Sequence, residues 1–296
     1  MNDSSAELVA LLAESTGASS IERGEHIQSL WSGYGELFRV HLTGGESPSL
    51  VVKWAKPPAS GERTASYVRK CRSYDVETVF YLAFAARCDA TCRVPRLHAH
   101  RIVRGSHPEW TLCLEDLDAA GFSRRIRSPR GHELEACLKW LAHFHARFME
   151  SAPDGLWKVG TYWHLATRRE ELAFIRDMDL KAKAPELDRQ LNAARFKTLV
   201  HGDAKPANFC FTHDGKGVAA VDFQYVGGSV GTKDVAYLLH GEATRANEMR
   251  HLDLYFAHLR AALPRETDGH AVEAEWRALY PAAKEDFQRF LAGWRG

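Results

Sequence analysis

The chain has 296 residues, room for about two domains or lobes at ~150 residues each. Apolar residues make up 45% and charged residues 26%, and 39 Lys and Arg against 38 Asp and Glu leave a net charge of +1. That balance suits a water-soluble globular chain and excludes the basic footprint of a nucleic-acid binder or of a protein that seeks an acidic partner.

The first stretch, MNDSSAELVALLAE, is polar and then amphipathic. A helix is expected over about 5–14, capped by Asn2, Asp3, Ser4 or Ser5. It lacks the basic start and long apolar centre of a secretion signal. No apolar run approaches the ~20 residues of a membrane span. Six scattered cysteines (Cys71, Cys88, Cys92, Cys113, Cys137 and Cys210) form no CxxC pair. They read as reduced, mostly buried thiols in a cytoplasmic protein.

LWSGYGELFRVHL (30–42) suggests strand, Gly turn, strand, and the β-branched SLVVKWA (49–55) a third strand. PPASG breaks the chain after it. SYDVETVFYLAFAARC (73–88) places Val76, Val79, Phe80 and Ala83 at helical spacing. WTLCLEDL (110–117) reads as a strand running into a turn. ELEACLKWLAHFHARFME carries an apolar stripe of Leu134, Leu138, Leu141 and Phe144, and REELAFIRDMDL is a second helix. TLVHGDAKPANFCFT, HDGKG and VAAVDFQ then give strand or loop, hairpin turn and strand, with Asp214-Gly215 as the turn signal. From about 233 the chain is helical and rich in aromatics.

The 199–224 stretch gathers oxygen-bearing side chains around one hairpin. Asp203 and Asn208 precede the strand FCF, and pairing with VAAV would return Asp222 to the side of Asn208. A carboxylate and an amide oxygen together suit Mg²⁺ held jointly with substrate phosphates. A second carboxylate, Asp203, could take a proton from a hydroxyl nucleophile. Phosphoryl transfer needs that combination of metal and base. The plain alternative is a turn, since Asp and Asn often bend chains.

HGDAKPAN, followed by DFQ nineteen residues after Asp203, resembles the catalytic loop and metal motif of kinase-like small-molecule phosphotransferases. That superfamily includes aminoglycoside phosphotransferases, choline kinases and the ecdysteroid-kinase-like (CHK) group, and DFQYVGGSVGTKDVAYLL is most similar to the last. The resemblance implies an α+β, bilobal protein-kinase-like fold. An N-terminal lobe of antiparallel sheet plus helix (1–117) would bind nucleotide, and a mostly helical C-terminal lobe (118–296) would hold the catalytic loop and the acceptor. It implies an ATP- and Mg²⁺-dependent transfer of the γ-phosphate to a small hydroxylated molecule. Asp203 would be the base, Asn208 and Asp222 the metal ligands, and His201 a support for the loop. Lys53 would hold phosphates and pair with Glu77. Glu115 and Leu117, in the hinge, would meet adenine. Ser32, Gly33 and Gly35 would cover the phosphates, although two glycines are only part of a G-x-G-x-x-G pattern.

Lys205 also resembles the catalytic-loop lysine of protein Ser/Thr kinases, where it can neutralise the transferred phosphate. Gly202, however, stands where those kinases carry Arg. Twelve residues from Asp222 to Asp234 leave no room for an activation loop, and no A-P-E occurs. A protein kinase and a pseudokinase-like nucleotide-binding module are therefore the alternatives to a small-molecule kinase.

Other residues keep two readings. Asp234 is a helix N-cap or a brace for the catalytic loop. Asp116 is a turn residue after the hinge. The aromatics Tyr255, Phe256, Trp276, Tyr280, Phe287, Phe290 and Trp294 are core, with a cage for a cationic substrate as the alternative. Asp177, Asp179 and Glu170 could acidify an acceptor pocket, although basic residues are interleaved. His98 with His100, and His143 with His145, do not share a helix face, and no zinc set is completed.

Overall fold

A computed structural model describes residues 3–58, 64–242 and 244–294. Helix α1 (Asp3–Thr16) is followed by strands β1 (Ser20–Ser29), β2 (Gly35–Thr43) and β3 (Ser49–Ala55), then helix α2 (Ala65–Val79), then β4 (Leu97–Val103) and β5 (Glu109–Glu115). The five strands form one antiparallel sheet in the order β1-β2-β3-β5-β4. Alternation along β2 and β3 turns Phe38, Val40, Leu50 and Val52 to one face, where Leu12 of α1 and Cys113 of β5 close a small core.

The long C-terminal part begins with the short strand β6 (Arg124–Arg125) and contains α3 (His132–Arg147), α4 (Arg169–Phe174), α5 (Met178–Asn192), β7 (Thr198–Val200), β8 (Phe209–Phe211), β9 (Val218–Ala220), β10 (Gly227–Ser229), α6 (Thr232–Leu238), α7 (Arg245–Ala262) and α8 (Gly269–Gly293). The stripe on α3 is buried as its spacing predicts, with Leu138, Leu141 and Phe144 fully covered. They belong to a large core that also takes in Tyr255, Phe256 and Trp276. Phe80, just beyond α2, stacks on Phe223 with ring centroids 3.9 Å apart. One apolar core thus links the helix beside the sheet to the D-F-Q turn.

Several expected elements differ in extent. A strand over Ser20–Ser29 is absent from the sequence reading, because β1 is a sheet-edge strand with a mostly exposed, polar surface. Helix α2 starts eight residues earlier than its apolar spacing suggests, capped by the Thr64 hydroxyl on Tyr67 N at 3.1 Å. Its first half carries little apolar periodicity because it borders a cleft rather than the core. Beyond Val79 the helix loosens into a π turn and then a 3-10 turn (Phe80–Phe84, Ala85–Arg87). The single helix expected over REELAFIRDMDL is broken: Ile175 is extended and buried, and Asp177 caps a new helix on Leu180 N at 3.0 Å. Strands β6 and β10 are too short to leave a pattern in sequence. The cap expected at Asn2 lies outside the described residues, as does part of the PPASG break.

Among the described residues, no helix is long and apolar enough to cross a membrane. Among the described residues no disulfide is formed.

Candidate active site

A cleft of about 790 Å³ opens between the five-stranded sheet and the helical part. Lys53, Glu77, Asp203, Lys205, Asn208 and Asp222 line it, and the strand-to-loop segment bearing Glu115 and Leu117 forms its back wall. The sequence separates these residues by up to 169 positions, and three local devices bring them together.

The first is the register of β3. Lys53 pairs with Leu37 on one side and Leu112 on the other, so its side chain leaves the centre of the sheet toward α2. Its ammonium meets Glu77 at 2.7 and 2.9 Å and Asp222 at 2.9 Å. Lys53 is 6% exposed and Glu77 1%, so the charges are held away from water. Burial alone would lower the Lys53 pKa, but Asp222 and Glu77 outweigh it and raise it. Burial raises the Glu77 pKa despite Lys53. Burial would raise that of Asp222 too, but Lys53 and Lys70 hold it well below the usual carboxylate range.

Lys53→Met should therefore destabilise the fold by about 3–5 kcal/mol in urea unfolding, because two buried carboxylates lose their counter-ion. A group whose folded pKa is raised loses its stabilising contribution as pH rises through that pKa. The deficit should be greatest at neutral pH and shrink as pH falls through the raised Glu77 pKa, where that carboxyl takes up a proton. A deficit independent of pH would argue against this account, and Glu77→Gln in the same background should recover part of the loss.

The second device is the hairpin. Phe209 pairs with Ala220, and Val221 N donates to Asn208 O at 3.0 Å, which sets Asp222 beside Asn208. Asp222 sits at φ 69°, a left-handed conformation that is strained for a side chain with a Cβ.

The third is the loop that carries Asp203. His201 N and Gly202 N donate to Asp234 at 2.6 and 3.0 Å. The N-cap of α6 is Gly231, which makes no side-chain cap, so Asp234 braces the loop and does not cap the helix. His201 lies fully buried behind the loop. Its Nδ1 accepts from Asp203 N at 3.2 Å and its Nε2 contacts Val221 O at 3.0 Å. It lies outside the cleft lining. Gly202 has φ 82°, and a Cβ there would lie 2.1 Å from Tyr225 O, so only glycine fits.

Asp203 itself is 6% exposed. Its Oδ2 accepts from Lys205 Nζ at 2.8 Å and Asn208 Nδ2 at 3.0 Å, while the buried Oδ1 accepts no hydrogen bond. Burial raises its pKa, opposed by Lys205.

The remaining predicted residues are placed less centrally. Ser32 (φ 57°), Gly33 (φ 69°) and Gly35 (φ 136°) make the tight β1–β2 turn, but the cleft lining ends at Trp31 and includes none of them. The Glu115 carboxylate is taken by Arg93 and by Arg96 N at 3.0 Å, and Leu117 O by Phe122 N at 2.8 Å. Asp116 is more than a turn residue: it is buried and accepts from Arg39 Nε at 2.5 Å and Ser49 Oγ at 2.6 Å.

Sequence reasoning missed Arg69, Lys70, Tyr162, Arg168, Tyr225 and Tyr237, all of which line the cleft. Lys70 donates to Gln224 Oε1 at 2.7 Å, so the Gln of D-F-Q ties this turn to α2. Burial lowers the Lys70 pKa to about 8. Trp294, grouped with the core aromatics by sequence, is 37% exposed and lines the cleft, whereas Tyr255, Phe256, Trp276, Tyr280, Phe287 and Phe290 are buried. Asp177, Asp179 and Glu170 are exposed and lie outside the lining.

Residues 26–281 match the sequence profile of the phosphotransferase enzyme family, APH. The chain belongs to that family. Solved structures share the fold of this phosphotransferase over nearly its whole length. An aminoglycoside-3'-phosphotransferase of type VIII is 18% identical, with a TM-score of 0.50 over 94% of this chain and 98% of its own. A microcompartment-associated aminopropanol kinase is 14% identical, with a TM-score of 0.53 over 97% and 94%. A thermostable mutant of aminoglycoside phosphotransferase APH(4)-Ia, in ternary complex with AMP-PNP and hygromycin B, is 15% identical, with a TM-score of 0.50 over 97% and 99%. No curated protein is significantly similar to this phosphotransferase.

Proposed function

We propose that this phosphotransferase moves the γ-phosphate of ATP to a hydroxyl of a small molecule, with Asp203 as the base. The observation that carries the reading is Asp203 itself: a carboxylate in the lining of the cleft that also holds Lys53 and Asp222, with Oδ2 fixed by Lys205 and Asn208 and Oδ1 bound to neither. Membership of the family supports phosphoryl transfer, and the AMP-PNP complex of the APH(4)-Ia protein supports an adenine nucleotide.

The chain's own residues divide the work. Asp203 Oδ1 accepts the hydrogen bond of the acceptor hydroxyl and orients its oxygen. Lys205, fixed on Oδ2, keeps that carboxylate ionised and offers positive charge beside the phosphoryl group in transit. Lys53, locked between Glu77 and Asp222, is preorganised for nucleotide phosphate oxygens. His201 and Asp234 hold the loop in register.

A divalent cation fits the donor set. Asn208 spends its amide hydrogens on Asp203 O and Oδ2 (2.8 and 3.0 Å), which leaves its amide oxygen for a cation beside Asp222. No cluster of three or more His, Cys, Asp or Glu able to hold a metal occurs among the described residues. Two protein oxygens completed by phosphate and water suit Mg²⁺. When bound, Mg²⁺ would neutralise phosphate charge.

The test is ADP release and acceptor phosphorylation with ATP, Mg²⁺ and a panel of small alcohols. Folded enzyme that binds Mg²⁺–ATP yet phosphorylates none of them would count against transfer and leave a nucleotide-binding module. A pH profile gives a second check. Burial raises the Asp203 pKa, so the acid limb of kcat/KM should lie above the ordinary ~3.9. Lys205→Met removes the charge that opposes this shift and should move the limb to still higher pH. An unmoved limb would assign the titration to another group.

A further inference from the structure

The acceptor side of the cleft is positively charged and aromatic. Arg69, Lys70 and Arg168 line it, together with Tyr162, Tyr225 and Trp294. The cations that serve phosphoryl transfer each have a carboxylate: Lys53 has Glu77 and Asp222, and Lys205 has Asp203. Arg69 and Lys70 have none within 4 Å among the described residues. Arg69 rests on Thr167 O at 2.9 Å and Ser66 Oγ at 3.4 Å, and Lys70 on Gln224 Oε1 at 2.7 Å.

Arg168 is 5% exposed. Its Nη1 is bound to Glu171 at 3.0 Å and its Nε to Tyr162 O at 2.5 Å, and its guanidinium stands 5.6 Å from the Tyr162 ring and 5.4 Å from that of Trp294. Arg69 binds the carbonyl of the residue next to Arg168, so the two guanidiniums converge across the cleft wall. Burial first, and repulsion from Arg168 second, lower the Arg69 pKa. Glu171, already bound to Arg168, and then the exposed Glu170 oppose that shift, and neither lies in the cleft lining.

Arg69 and Arg168 have one carboxylate between them, Glu171 on Arg168, so the pair keeps one uncompensated positive charge, and a partly buried charge of that kind is costly and is resolved by an anion. Guanidinium forks match carboxylate and phosphate oxygens in pairs. We infer that the phosphate acceptor carries an acidic group, a carboxylate or a phosphate monoester, held between Arg69 and Arg168 with its apolar body against Tyr162, Tyr225 and Trp294. This rests on the phosphotransferase reading above and sharpens it: a polycationic acceptor would face repulsion where this cleft is most positive.

The test uses four probes on one skeleton, a benzyl group on a carbinol carbon that also bears the variable group. They are 3-phenyllactate, 3-phenylpropane-1,2-diol 1-phosphate, 3-phenyllactamide and 1-amino-3-phenylpropan-2-ol. Each is titrated calorimetrically into the full chain without nucleotide. At least one of the two acids should bind about tenfold or more tighter than the amide and the amine, as expected for charge-assisted hydrogen bonds, and the tighter acid identifies the group. Arg69→Gln and Arg168→Gln should each remove that preference. Arg69 is only partly buried whereas Arg168 is buried, so its variant remains informative if the Arg168 variant does not fold.

The inference is overturned if the amine or the amide binds as tightly as both acids, or if none of the four binds at millimolar concentration. It is also overturned if the Arg69 and Arg168 variants weaken AMP-PNP binding and leave the acid preference intact, because the pair would then belong to the nucleotide. A separate titration of Mg²⁺ with AMP-PNP distinguishes the two readings: its failure alone counts against phosphotransfer, while acid selectivity in the first titration would still stand.

Discussion

Asp203→Asn is expected to lower kcat by about 10²–10⁴-fold, the usual range for a general base, while AMP-PNP binds within a few-fold of the parent. Asparagine keeps the shape, so the hydrogen bonds from Lys205 and Asn208 retain an acceptor. It removes only the charge, and with it the ability to take the hydroxyl proton. The fold should not suffer. Burial raises the Asp203 pKa, so the ionised group costs the native state free energy at neutral pH. A neutral amide relieves that cost, and Tm at pH 7.5 should hold or rise. Residual transfer near the parental rate would remove Asp203 from the role of base. A lower Tm with parallel loss of activity would mean the residue matters for folding instead.

The second large effect is on stability. Asp234→Ala should cost about 3–5 kcal/mol, the range for a buried, multiply bonded charge. Asp234 is fully buried and accepts from His201 N, Gly202 N and His145 Nε2 at 2.6, 3.0 and 3.1 Å. Alanine would leave two backbone donors without partners in a water-free setting, each costing about 1–3 kcal/mol. Asp234→Asn retains one acceptor oxygen and should cost less. Urea unfolding with an unchanged m-value measures both. A loss under about 1 kcal/mol for the alanine variant would show that the loop holds its shape without this brace.

The legibility of the site in sequence follows from how local each piece is. Asp203, Lys205 and Asn208 sit within a few residues of one another, and Asp222 lies across a single hairpin whose turn is marked by Asp214 and Gly215. Such pieces keep a fixed spacing, because strand pairing converts sequence distance directly into spatial distance. Lys53 and Glu77 were legible for a different reason: the order of strands and helix in a resembled fold gives them positions. The left-handed turn at Ser32 to Gly35 was legible as a turn, but the cleft that it was expected to cover ends one residue earlier.

The wall formed by Arg69, Lys70, Arg168, Tyr225 and Trp294 was illegible. Arg69 and Lys70 come from the polar half of α2, Arg168 from a short turn, Tyr225 from a loop and Trp294 from the end of α8. Arg69 and Lys70 adjoin each other, but no spacing in sequence ties them to Arg168, Tyr225 or Trp294. Trp294 illustrates the limit: most aromatics of the C-terminal part are core, whereas this ring reaches the cleft because α8 ends at Gly293 beside it.

By itself, then, the sequence determined the α+β order of elements, the hairpin that joins Asp203, Asn208 and Asp222, and the family likeness, since each rests on local spacing or on linear order. The tertiary structure alone decided that Asp234 braces the loop, that His201 stands behind it, and that Arg69, Lys70 and Arg168 line one cleft. Those facts depend on which faces of distant elements meet at one cleft, and chain spacing carries no record of that meeting.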